Sequence, residues 1–298
     1  MVIDRIAIQG YRGSFLDLAV DKLYGKKPKQ LVYCKTIIDV FESLENGLSD
    51  YALTDIGNNR YGDINHVYDI LVNNSVSKNH GRYYIVGEEY LNISHNLMVV
   101  KGTKLADIRT IYSQAPSIIQ CFGFIHTRLR NSISVEQDDT ALSAKLVSEL
   151  KSKSAAAIAS IEAAKLFGLE VLAKDIQDDV NNISRFVLVS MKPPLTYKGA
   201  TKTSMIISTE HKAGSLAKAL SLIAERNINL SYLQSIPIPN RPFEYNFFLD
   251  MDAGLNDKRV TDIKDELTAL GYDSKILGSY KKAVIPKLKN PQKRIKSW

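Results

Sequence analysis

A glycine-containing turn followed by a hydroxyl residue is the first element of this sequence with the groups to bind a charged ligand. Gly10-Tyr11-Arg12-Gly13-Ser14-Phe15 stands between a predicted strand, Ile3–Gln9, and a predicted helix, Ser14–Leu23. The free backbone N–H groups at a helix start, together with the Ser14 hydroxyl, form a ready anion site. The same residues also fit a tight turn in which Ser14 only caps the helix.

Residues that hold metals or form disulfides show no informative spacing. The five histidines are scattered without an H-E-x-x-H pattern, so we expect no metal site: they are His66, His80, His95, His126 and His211. Cys34 and Cys121 are far apart and form no C-x-x-C pair. Buried or neutral thiols are therefore the expectation.

The composition predicts an ordinary soluble globular chain with two or three domains, at 298 residues, 45% hydrophobic and 24% charged. Its net charge of +7 comes from residues 281–298, which hold seven basic side chains and no acid. The remaining 32 basic and 32 acidic residues balance, so no nucleic-acid partner is predicted. The basic end is expected to be a solvated tail, with weak anion or partner binding as the alternative.

Membrane insertion is also not predicted. The N-terminal run MVIDRIAIQG contains Asp4 and Arg5, and no later stretch approaches the roughly 18–20 apolar residues that cross a bilayer. We expect a cytoplasmic protein.

The elements that must position these groups alternate between short β-branched runs and helical patterns over residues 1–190, which is typical of an α/β domain. A second lobe is predicted at about residues 76–176, and the strand Arg185–Ser190 is expected to return to the first lobe. Two lobes that the chain crosses twice leave a cleft between them, where ligands usually bind.

A separate unit follows a Pro- and Gly-containing linker at residues 191–202. Residues 203–280 read as strand, helix, strand, strand, helix, strand, which predicts a ferredoxin-like βαββαβ sandwich.

Two segments of the chain resemble one known family. Residues 155–186 are similar to the closing catalytic segment of the prephenate dehydratases, which usually ends Thr-Arg-Phe and here reads Ser184-Arg185-Phe186. The last unit looks like the ACT regulatory domain that follows it, through Ala213–Ala217, Ile228–Leu230 and Arg241–Asp250. The resemblance covers nearly the whole chain to residue 280. It implies a two-lobed, periplasmic-binding-protein-like α/β catalytic domain followed by an α+β ferredoxin-like ACT domain.

The resemblance implies an enzyme of phenylalanine synthesis, a lyase that converts prephenate into phenylpyruvate with loss of carbon dioxide and water. Aromatisation drives this reaction, so no redox cofactor or metal is expected. By similarity, Arg185 would hold a substrate carboxylate, Ser184 would protonate or hydrogen-bond the leaving hydroxyl, and Phe186 completes the catalytic motif. Alternatively, Arg185 pairs with a local acid such as Asp178 or Asp179, and Ser184 only starts a strand.

The other family motifs are only partly kept. They imply a substrate-binding set of Gly13, Ser14, Asn58, Asn59, Ser113 and Thr140. Three positions depart from the family pattern: Gly57 replaces a glutamate, Asn59 a serine and Gln114 a histidine. These departures support two alternatives: a diverged homologue that acts on prephenate or arogenate with altered chemistry, or a non-catalytic ligand-binding regulatory protein.

Regulation by phenylalanine is implied by the ACT resemblance, in a homodimer or homotetramer. The implied effector-binding residues are Gly214, Ser215, Leu216, Asn229, Leu230 and Ser235. The family loop Glu-Ser-Arg-Pro reads Gln234-Ser235-Ile236-Pro237 here, which removes a charged pair. We therefore expect weaker allosteric coupling than is usual in the family.

Overall fold

Three separate β-sheets organise the computed structural model, which describes residues 4–25, 29–73, 83–194 and 196–289. In these residues the chain forms fifteen strands and nine α-helices, in the order β1 (Asp4–Gln9), α1 (Phe15–Tyr24), β2 (Lys29–Cys34), α2 (Ile37–Glu45), β3 (Tyr51–Asn58), β4 (Gly62–Asp63), α3 (Asn65–Asn73), β5 (Tyr84–Asn92), β6 (Asn96–Val99), β7 (Thr110–Ser113), α4 (Ala115–Gln120), α5 (Phe122–Arg128), β8 (Ile133–Glu136), α6 (Thr140–Leu150), β9 (Ala155–Ala159), α7 (Ile161–Leu166), β10 (Glu170–Ala173), β11 (Ile183–Ser190), β12 (Lys202–Ser208), α8 (Ser215–Glu225), β13 (Leu230–Pro237), β14 (Tyr245–Met251), α9 (Lys258–Ala269) and β15 (Asp273–Tyr280). Among the helices described, none is long and apolar enough to cross a membrane.

The first sheet has the order β2-β1-β3-β11-β5, with β4 paired to β3. Strands β1, β2 and β3 run parallel, whereas β11 is antiparallel to both of its neighbours. Alternate residues of each strand point to opposite faces. Phe186 and Leu188 pack on the face that α1 covers, and Val187 and Val189 pack on the other.

The second sheet has the order β10-β6-β9-β7-β8 and forms the second lobe. Its central strand β9 is an uninterrupted run of buried small and apolar residues, as expected for a strand covered on both faces. The chain crosses between the lobes at Ile93 and Asn182, where the Ile93 N–H donates to the Asn182 carbonyl at 2.7 Å.

The second lobe begins later than the sequence predicts. A boundary at about residue 76 would have placed β5 in the second lobe. Instead β5 pairs with β11 along its length, from Asn92 opposite Ile183 to Tyr84 opposite Ser190. It therefore belongs to the first sheet, and the second sheet starts at Asn96. The long-range pairing of two strands, rather than a local sequence signal, decides this boundary.

The third sheet is antiparallel, with the order β13-β14-β12-β15, and carries both of its helices on one face. This is the ferredoxin-like arrangement of a βαββαβ unit. Met205, Ile207 and Leu249 face α8 and α9, whereas Ile206 and Phe248 face the first lobe. The third sheet is therefore buried on both faces, once by its own helices and once by the first lobe.

The start of the C-terminal segment is not a solvated tail in this structure. The Lys282 ammonium lies 2.7 Å from Asp252, and the Ala283 N–H donates to Glu88 at 3.0 Å. Further on, Lys289 and Asn181 exchange two hydrogen bonds. Residues 281–289 thus run from the third sheet onto the first lobe, and the rest of the predicted tail lies outside the described residues.

The close approach of β15 to β5 gives a stability prediction. A Cβ added at Gly278 would overlap the carbonyl of Ile85, so Gly278→Ala must push the third sheet from the first lobe. Overpacking of this kind costs about 1–3 kcal/mol, and we expect a melting temperature lower by several degrees. Gly87→Ala, whose added Cβ meets only Leu188 at 3.8 Å, is the control. Equal melting temperatures for the two variants would contradict this packing.

Candidate active site

A cavity of about 280 Å³ lies between the first and second lobes. Strands β1, β3 and β11 and the start of helix α1 supply the wall of the first lobe, and helices α4 and α6 begin at the wall of the second lobe. The lining residues are Gln9, Gly10, Ser14, Phe15, Leu16, Asp55, Asn58, Tyr61, Ile64, Ile93, His95, Gln114, Pro116, Ser117, Gln120, Asp138, Asp139, Thr140, Ser184 and Phe186. This is the cleft that the two-lobed pattern predicts.

The Ser184 hydroxyl is oriented by an amide on the neighbouring strand. The Asn58 Nδ2 donates to Ser184 Oγ at 2.9 Å and to Asn182 Oδ1 at 2.8 Å. The Asn58 Oδ1 in turn accepts the backbone N–H groups of Arg60 and Tyr61. Because Ser184 Oγ accepts from Asn58, its own proton is free to point at a ligand in the cavity.

Arg185 does not lie in this cavity, contrary to the role that the family resemblance implies. It is the residue between Ser184 and Phe186, and strand alternation turns it to the opposite face of the sheet. There its Nε donates to Glu88 at 2.9 Å, and its guanidinium lies 2.5 Å from Asp250.

The alternative pairing of Arg185 with Asp178 or Asp179 is not found either. Asp178 accepts the backbone N–H of Gly123, and Asp179 pairs with Arg60. Both acids lie near the crossing between the lobes, whereas the guanidinium points toward the third sheet.

The surroundings of Arg185 form a buried, charge-balanced cluster, which we call the β11 ion cluster: Arg185, Glu88, Lys202 and Asp250. The Lys202 ammonium lies 2.8 Å from Glu88. Burial lowers the pKa of Arg185, but Asp250, Tyr280 and Glu88 raise it well above its usual value, so the guanidinium stays charged. The cluster joins β5 and β11 of the first sheet to β12 and β14 of the third.

Two further predicted site residues, Ser113 and Asn59, form hydrogen bonds with the backbone and do not line the cavity. The Ser113 hydroxyl is fully buried and donates to the Ile158 carbonyl at 2.7 Å, which ties β7 to β9. The Asn59 side chain donates to the Asn181 carbonyl at 2.6 Å and accepts from the Ile183 N–H at 2.7 Å, which fixes the start of β11. Neither residue lines the cavity between the lobes.

The position Gly57 lies on the far face of β3. It pairs with Arg185 in register and lines a second cavity of about 480 Å³, between the first lobe, the third sheet and the C-terminal segment. The family glutamate that Gly57 replaces would therefore not face the cavity between the lobes. The replacement of that glutamate by Gly57 therefore removes no carboxylate from the cavity between the lobes.

The predicted turn at Gly13 and Ser14 stands at the cavity, but its groups are partly used. Ser14 Oγ caps α1 by accepting the Asp17 N–H at 3.3 Å, and the Gly13 N–H donates to the Asp17 carboxylate at 2.7 Å. The Gly13 carbonyl accepts the Ser160 hydroxyl across the lobes at 2.6 Å. Ser14 lines the cavity, whereas Gly13 joins the two lobes.

A buried histidine that the sequence did not single out also lines the cavity. His95 is only 2% exposed, and its Nε2 lies 2.8 Å from Gln120 Oε1, which also accepts from Asn182. Burial lowers the pKa of His95 to about 4, so the ring is neutral at physiological pH. The pairing with Gln120 puts the ring proton on Nε2, and among the described residues Nδ1 has no hydrogen-bond partner.

The charge of the cavity wall is negative. Among its described residues, Asp55, Asp138 and Asp139 carry charge, and none is lysine or arginine. Burial raises the pKa of Asp55 and of Asp139 to about 6. Asp139 caps α6 by accepting the Leu142 N–H at 2.8 Å, next to the predicted residue Thr140. The only sequence signal for Asp55 as a cavity residue is its position, because it is a charged residue directly after the apolar run Tyr51–Thr54.

The cavity offers hydroxyl, amide and carboxylate groups on one side and apolar walls on the other. In the part of the chain that the structure describes, no three His, Cys, Asp or Glu side chains are grouped to hold a metal ion. The arrangement suits a small ring compound with polar substituents, held by hydrogen bonds.

The predicted effector residues fall into two groups on the unit formed by the third sheet and its two helices. Gly214, Ser215 and Leu216 begin α8, and Ser235 lies at the same end of β13. Asn229 and Leu230 lie at the other end of α8, about 16 Å away for an eleven-residue helix. One chain therefore does not bring the two groups together.

Comparison with known proteins gives a consistent result. Residues 6–194 match the family model described as prephenate dehydratase. Arogenate dehydratase 2 of Petunia hybrida is 34% identical over 292 residues, which cover 93% of this chain and 71% of that protein.

Two solved structures are similar over almost the full chain. The prephenate dehydratase of Arthrobacter aurescens in complex with L-Phe superposes with a TM-score of 0.81 at 26% identity, covering 95% of this chain and 93% of that one. A protein described as a novel type of quorum quenching acylase, GqqA, has a TM-score of 0.79 at 26% identity, covering 97% and 100%.

The β11 ion cluster gives a prediction that separates a structural from a substrate-binding arginine. Arg185→Ala leaves Glu88 and Asp250 with only Lys202 to neutralise them, and breaking a buried pair costs about 3–5 kcal/mol. We expect chemical denaturation to show a loss of this size.

Arg5→Ala is the control, because Arg5 pairs with Asp50 on the surface at 2.8 Å and both side chains are exposed. It should change the denaturation midpoint much less. Equal small effects of the two variants would contradict the structural role of Arg185.

Proposed function

The chain belongs to the prephenate dehydratase family, and we propose that the cavity between its lobes converts prephenate into phenylpyruvate with loss of carbon dioxide and water. The dehydratase function predicted from the sequence is confirmed by the family match and by relatives named for that activity. The site residues named below are our proposal.

The observation that carries this proposal is the Ser184 hydroxyl, which Asn58 holds with its proton free toward the cavity. In the reaction, the bond from the ring to its carboxylate breaks, and the electron pair enters the ring and expels the hydroxyl opposite. The departing oxygen takes up one proton, which comes from solvent, and leaves as water. Ser184 donates a hydrogen bond to that oxygen, which stabilises the charge that develops on it.

The carboxylates of the substrate bind without a guanidinium. Helix α1 begins at the cavity, so the Ser14 hydroxyl lies beside a helix N-terminus, which favours anions, and Thr140 adds a second hydroxyl. The amides of Gln114 and Gln120 add neutral donors. Phe186 supplies an apolar surface for the ring as it becomes aromatic.

Turnover of prephenate by the purified protein, measured as phenylpyruvate at neutral pH, tests the proposal. Ser184→Ala should lower kcat by roughly 100-fold, since a positioned donor at the leaving group typically contributes 10²–10⁴-fold. Ser184→Thr keeps the hydroxyl and should retain activity. Unchanged kinetics in Ser184→Ala would remove this hydroxyl from the reaction.

For the domain organisation, we propose a catalytic domain over residues 1–190, a linker over 191–202 and an ACT regulatory domain over 203–280. The two separated groups of effector residues make a site for phenylalanine only if a second copy supplies one of them, which supports a homodimer or homotetramer. The solved relative with bound L-Phe supports this ligand.

Binding of phenylalanine to the ACT domain should have only a weak effect on turnover in the cavity between the lobes. Ile236 stands in place of the family arginine and is buried against the first lobe, and Gln234 replaces a carboxylate. Calorimetry of phenylalanine binding beside inhibition curves measures the coupling, which is limited by the effector's different affinity for the two states. We expect binding with shallow, weak inhibition, and tight binding with strong cooperative inhibition would contradict this.

A further inference from the structure

The cavity has a net negative wall, which does not match a substrate that is only anionic. Prephenate carries two carboxylates, and each described charged residue of the wall is an aspartate. Arogenate differs from prephenate at one position, where an α-ammonium group replaces the keto oxygen. An ionised carboxylate in a partly dehydrated site repels the first substrate and attracts the ammonium of the second.

Of the three acids, Asp55 is the one without a structural task. Asp139 caps α6, and Asp138 lies exposed at the rim of the cavity. Asp55 is half-buried in the wall, opposite Phe186 on the next strand. Among the residues that the structure describes, its carboxylate has no ion-pair partner, and its own backbone N–H is the donor that it accepts from.

Asp55 and Ser184 lie on the same wall of the cavity. They stand on adjacent strands, where Ser184 pairs with Asn58 of β3 and Asp55 pairs with Phe186, two residues further along β11. A substrate held between Ser184 and Phe186 therefore lies against the wall that contains Asp55. Charge-assisted pairing at this point adds strength and orientation to that placement.

We propose that Asp55 is a specificity-determining residue that binds the α-ammonium of arogenate, so that this chain prefers the amino acid substrate over its keto acid counterpart. The inference rests on the proposed dehydratase function and deepens it. The bond changes are those given above for prephenate. With arogenate the amino group is untouched, and the products are phenylalanine, carbon dioxide and water.

The ionisation of Asp55 sets the pH range of the preference. Burial raises its pKa to about 6, so the carboxylate is charged above that pH and becomes neutral below it. The preference for arogenate should be present at pH 7.5 and decline as the pH falls through 6. Asp138, Asp139, His95 and Tyr61 also line the cavity, and Asp139 has a similarly raised pKa, so pH alone does not identify Asp55.

The test is the ratio of kcat/KM for arogenate to that for prephenate, in the wild type and in Asp55→Asn, at pH 7.5 and pH 5.5. Asparagine keeps the size and removes the charge. We expect the wild type to favour arogenate and the variant to lose about 10- to 100-fold of that ratio, through slower arogenate turnover. The pH dependence of the ratio should become flatter in the variant.

Asp138→Asn removes one charge from the rim and separates specific pairing from general field effects. A shift in the ratio as large as that of Asp55→Asn would overturn the proposal, as would an equal loss on both substrates or a wild type that prefers prephenate. A wild type inactive with both substrates would instead refute the proposed dehydratase function. Matching melting temperatures show whether Asp55→Asn is folded, and product formation from arogenate is read as phenylalanine.

Discussion

The β11 ion cluster is the interaction on which the arrangement of the first and third sheets depends. Four charges of balanced sign are buried where the first and third sheets meet, and each would be costly there without its partners. The central member, Arg185, lies between the two residues that β11 presents to the cavity. A displacement of the third sheet must therefore separate these charges or move β11 with it.

This constraint explains how a cavity for an anionic ring compound operates without a lining guanidinium. The cation next to Ser184 is already neutralised on the opposite face, so hydrogen-bond donors and helix starts are left to hold the carboxylates. The same neutrality gives the three aspartates of the wall more influence, because no lining cation offsets them. Selectivity then depends on one carboxylate, Asp55, that the fold does not otherwise use.

Local sequence patterns predicted most of the elements, because helix caps and strand alternation are short-range signals. Ser14 caps α1, as the pattern indicates, and the short apolar run Ala155–Ala159 forms β9. The run from Ala115 to Arg128 forms two helices, α4 and α5, which meet at Cys121, where the backbone leaves the helical region. No local signal marks this break.

The direction of individual side chains could not be read from the sequence. Of the three residues in the family motif, Ser184 and Phe186 line the cavity, whereas the intervening Arg185 faces away because the strand alternates. Ser113 and Asn59 are drawn into backbone contacts by strand pairing far along the chain. His95 and Asp55 line the cavity because the two lobes meet there, and this contact is also formed by residues far apart in the chain.

The most direct test of this account is a crystal structure of the Ser184→Ala variant with unreacted substrate in the cavity. We predict that the ring lies against Phe186, with its leaving hydroxyl near the missing Oγ and a carboxylate at the start of α1. The Arg185 guanidinium should remain with Glu88 and Asp250. A substrate carboxylate paired with Arg185 would contradict the account.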